Sequence, residues 1–172
     1  MDVVKGPDGI RDEVFSELVE AHQTSLLRMC YMVLQDRQQA EDAVQETFFK
    51  AYRALEHFRG GSSAKTWLTA IAMNTCRDMR RSAWRRYVDR RLTPEDLPAA
   101  ILPSEEDDRE LTMQVMRLPD KLRKVVVLYY YQDMNTVDIA KSLGLAQSSV
   151  TARLKRAREK LREVLEGGDD HD

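Results

Sequence analysis

Residues 131–165 read YQDMNTVDIAKSLGLAQSSVTARLKRAREKLREVL, a stretch that admits few folds. Asn135 can act as N-cap for a short helix, residues 136–143, whose Ile139, Ala140 and Leu143 share one stripe. Gly144 ends that helix, because a left-handed residue after the last turn costs glycine almost nothing. Beyond the turn at 144–146, Val150, Leu154, Ala157, Leu161 and Leu165 recur at steps of four, three, four and four, which is one buried helical face. Two helices joined by a short Gly-containing turn, the second rich in Arg and Lys, read as a DNA-binding helix-turn-helix. A wheel at about 100° per residue sets Ser148, Thr151, Ala152, Lys155 and Glu159 opposite Val150 and Leu154, with Arg156 and Arg162 on the flanks. Small and hydroxyl side chains let a helix enter the major groove, while Lys and Arg reach base edges and phosphates. An αα-hairpin with a solvated basic face shares the periodicity, but such a face more often carries Glu, Gln and Lys.

The whole chain has 172 residues, 42% hydrophobic and 33% charged, enough for one core or two small ones. Few aromatics, seven Gly and five Pro favour helix throughout. The net charge of −2 does not announce nucleic acid, so the distribution of charge must. No stretch approaches the roughly 18 to 20 apolar residues of a membrane span, so no membrane insertion is predicted. The start, MDVVKGPDGIRDEV, lacks the basic and apolar regions of a signal peptide, which predicts a cytoplasmic protein. Cys30 and Cys76 sit in no CxxC or Cys–His spacing, and His22, His57 and His171 are too scattered for a zinc site. No metal or cofactor is therefore predicted, and both cysteines read as small core residues, with a redox-sensitive thiol as the alternative.

In chain order, residues 1–10 hold Gly6, Pro7 and Gly9 and read as a loose arm. Val14, Phe15, Leu18 and Val19 continue into Leu26, Leu27, Cys30 and Leu34 as one long helix, or two meeting near residues 22–24. Asp36 and Gln39 can form a capping box for a helix over 37–57, buried through Ala40, Val44, Thr47, Phe48, Ala51 and Leu55. Its polar side holds Asp42, Gln45, Glu46, Phe49 and Arg53, and an aromatic centred among charges suits a partner protein. A single exposed Phe is, however, ordinary. Residues 58–63, FRGGSS, break the pattern before a helix burying Trp67, Leu68, Ile71, Ala72, Thr75 and Met79. Between Arg59 and Arg91, nine Arg or Lys stand against Asp78 and Asp89, a local net charge of +7. With Trp84 and Tyr87 interleaved, this suits a phosphate backbone and unstacked bases, against the alternative of a solvated basic helix end.

Residues 92–110 reverse the sign, with seven acids, one Arg and three prolines, and read as an interdomain linker. Its acidity could hold it against the basic surfaces when DNA is absent. The second domain, residues 111–166, opens with Leu111, Val115 and Leu118, restarts at Pro119, and buries Leu122, Val125, Val126, Leu128 and Tyr129 before the helix-turn-helix. Residues 167–172 are polar and predicted to be disordered. The fold class is all-α: two small helical domains, 11–91 and 111–166, the second a helix-turn-helix domain.

Four segments carry a resemblance: AEDAVQETFFKAYRALEHFR, SSAKTWLTAIAMNTCRD, LPDKLRKVVVLYY and DIAKSLGLAQSSVTARLKRAREKLR. In order and spacing they closely resemble the bacterial extracytoplasmic-function sigma factors of the sigma-70 family, over about residues 11–165. The resemblance implies a subunit that binds core RNA polymerase and directs initiation at particular promoters. Its first domain would recognise and help melt the minus-ten element, and its second would read the minus-thirty-five element as duplex. It implies docking through Asp42, Gln45, Glu46, Phe49 and Arg53 on the clamp helices of the largest polymerase subunit, with a further contact to the flap. The segment with Ser62, Ser63, Lys65, Trp67 and Asn74 would capture flipped-out bases, contributing part of the unstacking cost of melting. Arg77, Arg80 and Arg81 would hold the backbone beside them. Ser148, Ser149, Thr151, Ala152, Lys155 and Arg156 would meet the upstream duplex. An anti-sigma factor is a further implied partner.

This sequence departs from the family at Ala146, where Ser or Thr commonly caps the recognition helix, so that its start would fray or lean on Ser148 or Ser149. It departs again at Asp133, which replaces a turn glycine that Asp can imitate in a left-handed conformation. A stand-alone operator-binding regulator is the alternative, but it leaves the Phe49 face and the first domain without a role. A helical enzyme fits worse: His22 and His57 lack an evident carboxylate or cysteine partner, and there is no Gly-rich phosphate loop.

Overall fold

Pro7 stands at a first helical position, where its missing N–H costs nothing, and helix α1 runs unbroken from there (Pro7–Leu34). The loose arm is thus shorter than predicted: residues 7–10 are a helical turn. Residues 22–24 carry no break. The computed structural model describes residues 7–83 and 106–167. Trp84, Tyr87, the arginines at 85, 86, 90 and 91, the prolines of the linker, and residues 1–6 and 168–172 lie outside the described residues.

Gln35, left-handed at φ 58°, stops α1. Asp36 then opens α2 (Arg37–Ala54) by accepting the Gln39 N–H at 2.8 Å, the predicted cap. Ala40, Ala43, Val44, Thr47, Phe48 and Ala51 are buried, and Thr47 satisfies its hydroxyl on the Ala43 carbonyl at 2.6 Å. A single 3₁₀ turn, Leu55–His57, leads into the Gly60–Gly61 break. Ser63 then accepts the Thr66 N–H at 3.1 Å at the head of α3 (Ala64–Ala83). Cys30 of α1 and Cys76 of α3 are both free and buried. The neighbouring Cys76 thiol, and then burial, push the Cys30 thiol well up, which makes it a poor nucleophile.

Helix α4 (Glu106–Arg117) claims residues 106–110, which the composition assigned to the linker. The last proline is behind it at 103, and Glu and Asp favour a first turn because they face the positive end of the helix dipole. Its buried stripe is Thr112, Met113, Val115 and Met116, followed by Leu118, whereas Leu111, predicted as core, is 39% exposed. Helix α5 (Asp120–Val126) continues into a π turn, Val127–Tyr131, whose wider winding is marked by the Gln132 N–H reaching the Val127 carbonyl at 3.2 Å. Asp133 follows at φ 54°, the left-handed geometry predicted for it.

Helices α6 (Thr136–Leu143) and α7 (Gln147–Gly167) complete the second unit. Asn135 accepts the Asp138 N–H at 2.8 Å, and Gly144 ends α6 at φ 64°. Val150, Leu154 and Ala157 are buried; Leu161 is half-buried, and Leu165 lies beyond the core, 41% exposed.

The two units share one core. Residues 29–34 of α1 are all buried, which no helix with a solvent face achieves. The reason is that α1 packs against α2 and α3 and also against α5 and the π turn, while α3 also meets α6. Arg123, 5% exposed, donates to the carbonyls of Met116, Leu118 and, across the interface, Val33 at 3.4 Å.

Candidate nucleic-acid interface

Three exposed surfaces gather the predicted site residues. The first is the outer side of α2. Its inner side is filled by Ala40, Ala43, Val44, Thr47 and Phe48, so the helical period delivers Asp42, Gln45, Glu46, Phe49 and Arg53 to solvent together. Phe49 is 56% exposed, and the Arg53 guanidinium lies 5.6 Å from its ring centroid, a cation–π contact that fixes the ring without covering it. Asp42 accepts from Gln38 at 3.1 Å and Glu46 lies 3.9 Å from Lys50. The result is a rim of mixed charge around an aromatic centre, a pattern suited to a partner protein surface.

The second surface is α3 with the loop before it, and here the predicted set divides. Asn74, Arg77 and Arg81 are exposed along one line, separated by three and four residues, and Arg77 donates to the Asn74 side-chain oxygen. Ser62 is exposed on the loop, and Ser63, also exposed, serves as the cap of α3. Trp67 is half-buried and stacked on Phe58, centroids 4.6 Å apart at 26°. Lys65 and Arg80 point the other way, toward the second unit. Lys65 Nζ lies 3.3 Å from the Asp133 carboxylate, and Arg80 is ion-paired with Asp120.

The third surface is the free face of α7. Ser148, Thr151, Ala152, Lys155 and Arg156 are exposed, and Ser149 is half-buried. The Thr151 hydroxyl donates to the Gln147 carbonyl at 3.1 Å, so it turns its oxygen lone pairs and its methyl outward. The helix start leans on neither Ser148 nor Ser149 but on Gln147, whose amide donates to Thr136 Oγ1 at 2.8 Å and pins α7 to α6. Sequence reasoning missed Gln147, although a polar side chain at the first helical residue after a capless Ala146 was a readable signal. It also missed Arg158, which donates to the Tyr130 hydroxyl at 2.7 Å and lies 5.8 and 5.7 Å from the Tyr129 and Tyr130 rings. Three tyrosines in a row gave that signal without saying which cation would meet them.

Among known proteins, residues 18–86 match the family model for Sigma-70 region 2, and residues 108–161 match that for Sigma-70, region 4. The chain is 31% identical over 166 residues to the RNA polymerase sigma-H factor of Pseudomonas aeruginosa, covering 88% of this chain and 86% of that protein. It is 28% identical over 167 residues to the ECF RNA polymerase sigma factor SigW of Bacillus subtilis, covering 89% of each. The fold is similar to that of the sigma factor RpoE in its complex with the anti-sigma factor NepR from Bartonella quintana. There the TM-score is 0.74 at 22% identity, over 90% of this chain and 98% of that one. It is also similar to CnrH in complex with the cytosolic domain of CnrY, with a TM-score of 0.66 at 28% identity, over 91% and 90% of the two chains.

Proposed function

Because this chain belongs to the extracytoplasmic-function sigma factors of the sigma-70 family, we propose how its three exposed surfaces divide the work of a promoter-specificity subunit. The protein directs RNA polymerase to promoters. In our reading, α2 docks on the polymerase through Phe49, with Asp42, Gln45, Glu46 and Arg53 around it. Exposure of an aromatic ring inside a charged rim supports this, since such a ring gains most when a partner desolvates it.

The outer line of α3, Asn74, Arg77 and Arg81, holds the strand opened at the minus-ten element, and Trp67 with the Ser62–Ser63 loop receives an extruded base. Capturing that base offsets a few kcal/mol of unstacking per nucleotide. Lys65 and Arg80 add phosphate contacts once they are released from the second unit. On α7, Thr151 and Ala152 meet thymine methyls or sugar-phosphate, while Lys155 and Arg156 supply base-edge or phosphate contacts in the minus-thirty-five duplex. The protein performs no bond chemistry of its own and works in the cytoplasm. Among the described residues no helix is long and apolar enough to cross a membrane. An anti-sigma factor is its regulatory partner in this proposal; the similar protein CnrH is bound by the cytosolic domain of CnrY.

The observation that carries the reading is the match to region 2 and region 4 in that order, with the α2 and α7 faces free on the two units. Run-off transcription with purified core polymerase tests it. The chain is expected to confer initiation on a promoter that core polymerase alone ignores, and initiation that does not depend on it would refute the assignment. A stand-alone regulator would instead bind the same duplex with equal affinity whether or not polymerase is present.

A further inference from the structure

Tyr129 and Tyr130, both in the π turn, meet edge to face at 4.8 Å and 75°, and the Arg158 guanidinium of α7 lies close to both rings. Arg158 Nε donates to the Tyr130 hydroxyl at 2.7 Å. The arrangement sits at the surface, with Tyr130 50% exposed and Arg158 exposed. Helices α5 and α7 already pack together with Val125, Val126, Val150, Leu154 and Ala157 buried, so an exposed ring–cation contact adds little to holding them. A guanidinium carries five N–H donors in a planar fork. Here Nε is committed to Tyr130, while the two terminal nitrogens have no partner among the described residues. The hydroxyl and the rings thus restrict where this cation can swing and leave its far end uncommitted.

Position along α7 gives that far end a use. Thr151, Lys155, Arg158 and Arg162 follow one another at steps of four, three and four, and so share one flank of the helix. Arg156 stands on the other flank, about 160° from Arg158. Arg158 lies seven residues beyond Thr151, about 10 Å along the axis. The major groove is about 12 Å wide, so a side chain that far from a base-reading residue, and on the flank, is at the rim where phosphates lie. Arg meets a phosphate through two parallel N–H bonds, which the two terminal nitrogens can supply. A side chain held in advance also loses less rotamer freedom on binding.

We propose that Tyr130 is a positioning residue for the minus-thirty-five contact, whose hydroxyl and ring hold Arg158 on the flank of α7 opposite Arg156, with its terminal nitrogens set for a backbone phosphate of the duplex. Arg156 and Arg158 then reach the two strands that border the groove, and the second reach is set by the π turn rather than by α7 alone. This rests on the reading of α7 as the helix that enters the major groove.

The test uses holoenzyme assembled from core polymerase and the full chain, on a promoter fragment from which it initiates. Equilibrium binding is measured over a salt series, and circular dichroism of each free variant verifies that the helices persist. Arg158→Ala should weaken binding about tenfold, the loss of one charge-assisted contact, and equally for every base variant of the minus-thirty-five element. The slope of log affinity against log salt should shrink by about 0.9, the value for one phosphate. Tyr130→Phe keeps both rings and the charge, and should weaken binding about threefold with the slope unchanged. In the Arg158→Ala background the same change should have no effect, which a general loosening of the domain would not reproduce. The proposal is overturned if Arg158→Ala changes neither affinity nor slope, if Tyr130→Phe is silent, or if its loss persists without Arg158. Arg156→Ala separates the premise from the inference. If it weakens binding while Arg158→Ala does not, α7 still enters the groove and only the phosphate contact fails. If both are silent, the groove reading fails and the proposal falls with it.

Discussion

Phe49 does little for folding. Its ring is more than half exposed, and the neighbouring Phe48 already fills the inner side of α2, edge-on to Phe15 at 6.1 Å. Truncation to Ala should therefore leave the melting temperature nearly unchanged. Binding to core polymerase should weaken by on the order of 2 kcal/mol, as for a central aromatic at an interface. A pull-down titration with unchanged affinity would remove Phe49 from the docking surface. On α7 the same logic separates two roles for Arg156. A bidentate base contact costs about 1–3 kcal/mol when lost and relaxes preference at one base pair. A phosphate contact weakens all promoter variants alike and flattens the salt dependence. Arg156→Ala, measured against a panel of upstream-element variants, is expected to lose affinity mainly for the preferred base. These side chains were legible because a helical wheel needs only the period and a buried stripe. Lys65 and Arg80 were legible as cations but not as partners of Asp133 and Asp120, since nothing in a local pattern names a carboxylate 68 or 40 residues away.

At the scale of single elements, α6 carried its boundaries in its own sequence, because both ends are made by local chemistry. Asn135 supplies the cap and Gly144 the left-handed exit, and each acts within four residues of itself. Asn135→Ala should cost about 1 kcal/mol of stability by leaving first-turn donors unmet. Gly144→Ala should cost roughly 1–2 kcal/mol, because at φ 64° the added Cβ crowds the backbone although nothing else lies nearby. Denaturant melts of the two variants check this, and an unshifted midpoint for Gly144→Ala would contradict the backbone argument. Other elements were less legible. The π turn at Val127–Tyr131 leads into Gln132, whose side chain bonds Ser25 of α1, a partner that no local propensity names. The start of α4 was masked by a run of acids that reads equally as linker and as a favourable first helical turn.

For the molecule as a whole, two helical units could be read from the sequence, but their contact could not. The one available sign was the run MCYMVL in α1, apolar all round rather than on a stripe, which means burial on more than one side. The contact has a consequence for pH through Asp120. Burial alone would push its carboxyl up, but the Lys124 hydrogen bond and the charges of Arg80, Lys124 and Arg123 outweigh it and hold the carboxyl below its usual range. A carboxyl depressed in the folded state stabilises that state fully above its unfolded pKa, and the contribution disappears as pH falls through the folded value. Thermal midpoints of the wild type should therefore hold steady from neutral pH to about pH 5 and fall below about pH 4. Asp120→Asn should start lower at pH 7 and fall by less across the same acidic window. Scattering at neutral pH should find Asp120→Asn already more open than the wild type, because Arg80 has lost its partner on α5. Parallel pH profiles for the two proteins would show that Asp120 is not the group that acid acts on. A compact neutral-pH variant would confine its role to α5 itself, through Arg123 and Lys124.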